Sequence, residues 1–191
     1  MRLSPDYPIT TARLLLRPLT AADADQLLAY RSLTEVCRYL PFEPMDRAVI
    51  MERIAGPWSR TELTEAGQAL TLGIELATGG ALIGDIVLFF HSEIHQGGEL
   101  GWVLNPDYCA QGYATEAATA LIDLAFNVLG LRRLVARIDA RNRASQKLAL
   151  RLGMRQEAHL VQNEFFKGEW SDELDFALLR SEWRPQQTAQ T

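Results

Sequence analysis

The residues best suited to chemistry lie between Glu99 and Glu116, in the run Glu-Leu-Gly-Trp-Val-Leu-Asn-Pro-Asp-Tyr-Cys-Ala-Gln-Gly-Tyr-Ala-Thr-Glu. Leu100, Trp102 and Leu104 alternate with Gly101 and Val103 as in a strand, and Asn105-Pro106-Asp107 stops the run with turn formers. From Gly112 the apolar spacing changes to threes and fours, through Ala114, Ala117, Ala118, Leu121, Ala125 and Val128, which predicts a long helix ending at Gly130. A strand that enters a helix through Gln111-Gly112-Tyr113-Ala114-Thr115 gathers unpaired amides at the positive end of the helix dipole. That is an anion site, most naturally for phosphate. Gly112 lets backbone approach the ligand, and Ala114 keeps the first turn open.

The elements around this stretch must position it. Arg13 to Arg17 reads as a first strand ended by Pro18, and Thr20 with Asp23 as the start of a helix carrying Leu27, Leu28 and Tyr30. An irregular aromatic segment from Val36 to Pro44 precedes a second helix from about Asp46. Leu70 to Ala77 and Leu82 to Phe90 form a hairpin about Thr78-Gly79-Gly80. His91 to Gly98 reads as a loop before the central strand. Arg133 to Asp139 is a further strand, parallel to the central one if the long helix is a crossover. A short helix from Asn142 to Leu152 and two strands, about Met154 to Phe165 and Glu173 to Leu179, complete the order.

The 191 residues, 48% hydrophobic and 23% charged, fit one globular domain able to bury about 70% of its unfolded surface. Only Cys37 and Cys109 are present, so no disulfide framework is expected, and the start lacks a signal core. A cytoplasmic protein is the expectation. No apolar run approaches the ~18 residues that cross a bilayer. The net charge of −5 argues against nucleic acid, and the basic residues have no interleaved aromatics. Charge is nevertheless segregated. Between Thr61 and Leu131 there are nine acids and no Lys or Arg; then come Arg132, Arg133, Arg137, Arg141, Arg143, Lys147, Arg151 and Arg155 against Asp139 alone. One surface should suit an amine and another a polyanion. The loop from His91 to Gly98, with Glu93, His95 and Glu99, is a poor metal site, because its histidines do not share a helix face. No metal is expected.

The run Gln-Gly-Tyr-Ala-Thr-Glu-Ala, preceded by Asn-Pro-Asp-Tyr, resembles the pyrophosphate loop of the GNAT N-acetyltransferase superfamily, Arg/Gln-x-x-Gly-x-Gly/Ala, from position 109 to position 114. Position 109 departs, being Cys, so other residues must supply positive charge. The element order also resembles that α/β fold over about residues 10–183: a mostly antiparallel seven-stranded sheet, a splayed parallel central pair and about four helices. The opening Thr-x-Arg-Leu-x-Leu-Arg, Asn142 with Ser145, Leu-Gly-Met at 152–154 and Lys-Gly-Glu-Trp at 167–170 are similar to the RimJ/RimL-like branch, which acetylates N-termini of ribosomal proteins.

The resemblance implies acetyl-CoA as co-substrate and direct attack by an amine in a ternary complex. The acceptor would be a peptide N-terminus, with a small amine (amino acid, polyamine or aminoglycoside) or a non-catalytic acyl-CoA-binding role as alternatives. It implies that pantetheine lies along Trp102, Val103 and Leu104, with an N–H near Val103 polarising the thioester. Its pyrophosphate would meet residues 111–115, Asn142 would touch the arm, and Arg141, Arg143 and Lys147 would face the 3′-phosphate. Glu164 or Glu99 would be the base and Ser145 the proton donor, since positions 149 and 150 hold Ala and Leu in place of the usual tyrosine. Tyr39, Phe42, Phe166 and Trp170 would wall the acceptor. Whether the chain is a homodimer is left open.

Overall fold

A computed structural model describes residues 1–184. In chain order it contains β1 (Ile9–Thr10), β2 (Leu14–Pro18), α1 (Ala24–Arg31), α2 (Thr34–Cys37), α3 (Arg47–Ala55), β3 (Ala69–Leu76), β4 (Leu82–Ser92), β5 (Gly97–Leu104), α4 (Tyr113–Asp123), β6 (Arg133–Asp139), α5 (Arg143–Arg151), β7 (Arg155–Phe166) and β8 (Glu169–Leu179). The strands form one sheet in the order β1-β2-β3-β4-β5-β6-β8-β7. Every neighbouring pair is antiparallel except β5 and β6.

Two clusters of apolar side chains cover the sheet. Along β6, Leu134, Ala136 and Ile138 alternate with Arg133, Val135, Arg137 and Asp139, and the first set packs with Leu121, Phe126, Leu148 and Ala149 of the α4 and α5 side. Val103 belongs to the second cluster, with Leu27, Tyr30, Ile50, Ile54 and Trp58 from the α1 and α3 side. The acids and arginines that alternate out of the first cluster therefore look toward the second side.

That second side is fixed by a buried charge. Asp85 is 2% exposed and accepts from Tyr30 Oη at 2.7 Å and from the Arg31 guanidinium, including Nε at 3.1 Å. The Arg31 carbonyl in turn accepts from Met45 N at 2.9 Å and Cys37 Sγ at 3.4 Å, so the ion pair also holds the segment that includes α2. Breaking one partner of such a buried pair costs about 3–5 kcal/mol.

Several sequence expectations need adjustment. The sheet has eight strands, because the short β1 pairs with β2 before the first anticipated strand. Five α-helices are described, the single turn of α2 overlapping the start of the segment read as irregular. The loop expected from His91 to Gly98 shrinks to 93–96: β4 continues to Ser92 across a bulge at His91, and β5 begins at Gly97. β8 starts at Glu169 and runs for 11 residues, its polar outer half disguising the strand. The long helix is α only to Asp123. A π-helical turn, Leu124–Val128, follows before Gly130, whose φ is +83°.

Candidate active site

The parallel pairing of β5 and β6 covers only Gly97 with Arg133, Gly98 with Leu134 and Glu99 with Val135. Beyond that point the strands part. Which backbone groups this exposes follows from strand alternation. Gln96 O accepts from Arg132 N and so faces β6, whereas Asn105 N donates to Ile83 O beside β4. Val103 O also faces β4, lying 2.4 Å from where a Cβ on Gly84 would be. The amides of Leu100, Trp102 and Leu104 therefore open into the gap, and that of Val103 does not. The N–H expected near Val103 belongs to a neighbour.

The gap contains a cavity of about 70 Å³ lined on β5 and β6 by Leu100 to Trp102 and Ala136 to Asp139, with Asn142 and Ser145 at one side and Tyr39 and Leu40 at another. Asn142 caps α5, its side chain accepting from Ser145 N at 3.1 Å. Trp102 Nε1 donates to Ser145 Oγ at 3.2 Å. With one lone pair so occupied, the Ser145 hydroxyl can direct its own proton into the cavity.

At the end of β5 the chain turns through Ala110 at φ +61° and Gly112 at φ +84° and enters α4. No side chain caps α4, which leaves its first amides available to an anion. Alternating left-handed residues make such amides converge. Arg13 stands here although sequence reading assigned it no role. Its Nε donates to Glu116 at 2.7 Å, its Nη1 to Gln111 O at 3.1 Å, and its guanidinium lies 4.5 Å from the Tyr113 ring centre. Burial works against the Glu116 charge, yet the bonds from Thr11 and Arg13 hold this carboxyl below the ordinary range. Arg13 thus braces the loop and brings a cation to it, answering the loss at Cys109. The signal lay 96 residues upstream, and only the pairing of β2 with the sheet connects the two. Cys109 itself is exposed.

The three expected phosphate cations separate. Arg143 and Lys147 are exposed one turn apart on α5, with Arg151 continuing the row and donating to Thr115 Oγ1 of α4 at 3.4 Å. Arg141 turns away: its Nε and Nη2 bind Asp139 at 2.9 and 2.7 Å, its Nη1 binds Glu169, and it lies over the Tyr39 ring. A guanidinium shared by two carboxylates makes a poor phosphate clamp.

The acceptor wall is also reduced. Tyr39 lines the cavity, but Phe42 packs on the Arg31 guanidinium at 4.9 Å. Trp170 is 59% exposed and packs at a tilt against Phe165, opposite in the strand to the face carrying Glu164 and Ser171. The side chain of Phe166 lies outside the described residues.

Acids dominate the sheet face on the α1 side. Glu99 accepts from His91 Nε2 at 2.9 Å with Arg137 at 3.6 Å, and Glu164 is exposed on β7. The residue that sequence reading missed is Glu173, 8% exposed on β8, whose recorded hydrogen bond comes from Asn163 Nδ2 at 3.2 Å. Burial, then the charges of Glu164 and Asp175, and Glu99 more weakly, push its carboxyl up to about 7 against the pull of Arg137. Sequence reading had it only as the first residue of the last strand, where a carboxylate ordinarily meets solvent. Among the described residues no group of three or more His, Cys, Asp or Glu is placed to hold a metal, and no helix is long and apolar enough to cross a membrane.

A parted strand pair leading into an uncapped helix start, with a hydroxyl on one side and carboxylates on the other, is an arrangement suited to an acyltransferase that uses an acyl-CoA. The model of the GNAT acetyltransferase domain matches residues 13–155, and the chain belongs to that family, whose members use acetyl-CoA. It is 33% identical over 181 residues to the uncharacterised N-acetyltransferase YnaD of Bacillus subtilis, covering 92% of this chain and 98% of that one. The structure of a GNAT-family acetyltransferase from Bacillus anthracis superposes with a TM-score of 0.82 at 26% identity, covering 95% of this chain and all of that one. Two similarities bear on substrates. A Vibrio cholerae structure provisionally named a ribosomal-protein-serine acetyltransferase has a TM-score of 0.74 at 27% identity over 93% of this chain and 99% of that one. The spermidine N(1)-acetyltransferase of Escherichia coli K12 is 25% identical over 104 residues, 54% of this chain and 56% of that one.

Proposed function

We propose that the protein transfers the acetyl group of cytoplasmic acetyl-CoA to a protein or peptide N-terminus, as the RimJ/RimL-like branch does, by direct attack in a ternary complex. The observation that carries this reading is the parting of β5 and β6 immediately beyond Glu99 and Val135. Pantetheine then pairs with the open amides of Trp102 and Leu104, its pyrophosphate meets residues 111–115 beside Arg13, and Arg143 and Lys147 face the 3′-phosphate. The thioester reaches the cavity between Ser145 and the acidic face. An open amide polarises its carbonyl, the amine arrives past Tyr39, and Ser145 gives a proton to the departing thiolate. The Trp102 bond to Ser145 supports that last role.

A small cationic amine is the second reading, favoured by the crowding of Glu99, Glu164, Glu173 and Asp175 and by the similarity to a spermidine acetyltransferase. Thiol release from acetyl-CoA separates them, measured with peptides beginning Ala, Ser or Met and with spermidine and other small amines. Turnover of the peptides supports the first reading, and turnover of the amines alone replaces it with the second. Silence on both panels, with acetyl-CoA still raising Tm, rejects both in favour of a binding role.

A further inference from the structure

We infer that Glu173, rather than Glu164 or Glu99, accepts the proton from the incoming ammonium, an assignment that rests on the acetyltransferase reading above. Strand register sets the height of each carboxylate within the sheet. Glu99 pairs with Val135; four residues beyond Val135, Asp139 lines the same cavity as Trp102 and is directly opposite Glu173. Glu173 thus stands at the height where Trp102 and Leu104 open into the gap, with its side chain on the acceptor face. The backbone of Glu99 lies about 13 Å back along the strand, at the closed end, and its carboxylate is bound to His91. Glu164 pairs with Ser171, two residues beyond Glu173 toward the hairpin tip and past the end of β6, and is exposed to water.

The surroundings also distinguish Glu173. From β5 it faces Glu99; from β6, Arg137 and Asp139; from β7, Glu164 and the Asn163 amide; along β8, Asp175. Asp139 is already paired with Arg141, and burial notwithstanding, Arg141 holds that carboxyl below the ordinary range. Arg137 divides its charge between Glu99 at 3.6 Å and Asp175 at 3.9 Å. Among the described residues, Glu173 is left as a buried carboxylate without an ion-pair partner. An ammonium would complete it.

The proton balance closes. The ammonium gives one proton to the Glu173 carboxylate, which returns it to solvent; the freed lone pair forms the C–N bond as the C–S bond breaks. The second proton leaves the nitrogen and is matched by the one that the thiolate gains through Ser145. The products are the amide, CoA thiol and one released proton.

The test is kcat/KM against pH from 5 to 9, by thiol release, with whichever of the Ala-, Ser- or Met-peptides or spermidine the wild type acetylates. Wild type should rise along an acid limb centred near 7. Glu173→Gln should lose about 10²–10⁴-fold at pH 8 while acetyl-CoA still raises its Tm. Glu164→Gln, which removes a like charge and keeps Glu173, should move the limb to lower pH. The assignment is overturned by a Glu173→Gln enzyme that retains the limb, or by a limb that Glu164→Gln abolishes or leaves in place. The last two outcomes decide the matter even if Glu173→Gln fails to fold. A wild type that turns over but has no acid limb overturns this assignment alone, whereas a wild type that acetylates nothing overturns the transferase reading beneath it.

Discussion

Replacing Glu173 with Gln should stabilise the protein in a pH-dependent way. Holding a carboxyl at about 7 in place of its ordinary 4.5 means that the folded state disfavours the anion by about 3 kcal/mol. The sign follows from proton counts. Between 4.5 and 7 the folded protein keeps a proton that the unfolded chain has released, so this group's contribution is fully present below 4.5 and is lost as pH rises through 7. Gln cannot ionise, retains an oxygen for the Asn163 amide, and mimics the protonated acid in both states. Wild type and variant should therefore unfold alike at pH 4.5, diverge through neutrality and differ by about 2–3 kcal/mol above pH 8. For a domain of this size that is roughly 4–12 °C in Tm. Thermal unfolding in matched buffers from pH 4.5 to 9 measures the difference, and every other titrating group is common to both proteins. A constant gap across the range would refute the reasoning. So would a Gln variant that is less stable at pH 8.

Three further outcomes follow from the site. Gly112→Trp places a large side chain on a left-handed residue beside Arg13, and should abolish the rise in Tm given by CoA while leaving the unliganded protein folded by circular dichroism. Arg13→Ala should weaken CoA about tenfold and flatten the dependence of affinity on ionic strength, measured by calorimetry at low and high salt. Trp102→Phe removes the indole N–H that orients Ser145, so kcat should fall several-fold with KM for acetyl-CoA nearly unchanged, as steady-state kinetics would record.

The sheet and the turn into α4 were legible in the sequence because they rest on local rules. The alternation of Leu100, Trp102 and Leu104, the positive-φ glycines and the change of period at Gly112 each report the backbone directly. The extra strand β1 has only two residues, too few for any period to register. The π turn after Asp123 escapes notice because its apolar residues continue a helical spacing. Side-chain roles were least legible wherever two distant residues meet. Arg141 looked like a phosphate ligand until Asp139 and Glu169 bound it, and Phe42 like a pocket wall until it stacked on Arg31. Arg13 belongs to a strand motif that says nothing of phosphate, and Glu173 carries no motif of its own. Their importance arises from strand register, which brings one to α4 and sets the other opposite Asp139.

The most direct test of the account follows acetyl-CoA labelled in its acetyl group, with thiol release and the labelled product measured in the same reaction. The account predicts one N-acetyl amine formed for each CoA thiol released. Thiol released without an N-acetyl product would mean hydrolysis, and neither product, with acetyl-CoA still raising Tm, would mean that the cleft binds the cofactor without transferring its acetyl group. Either result would contradict it.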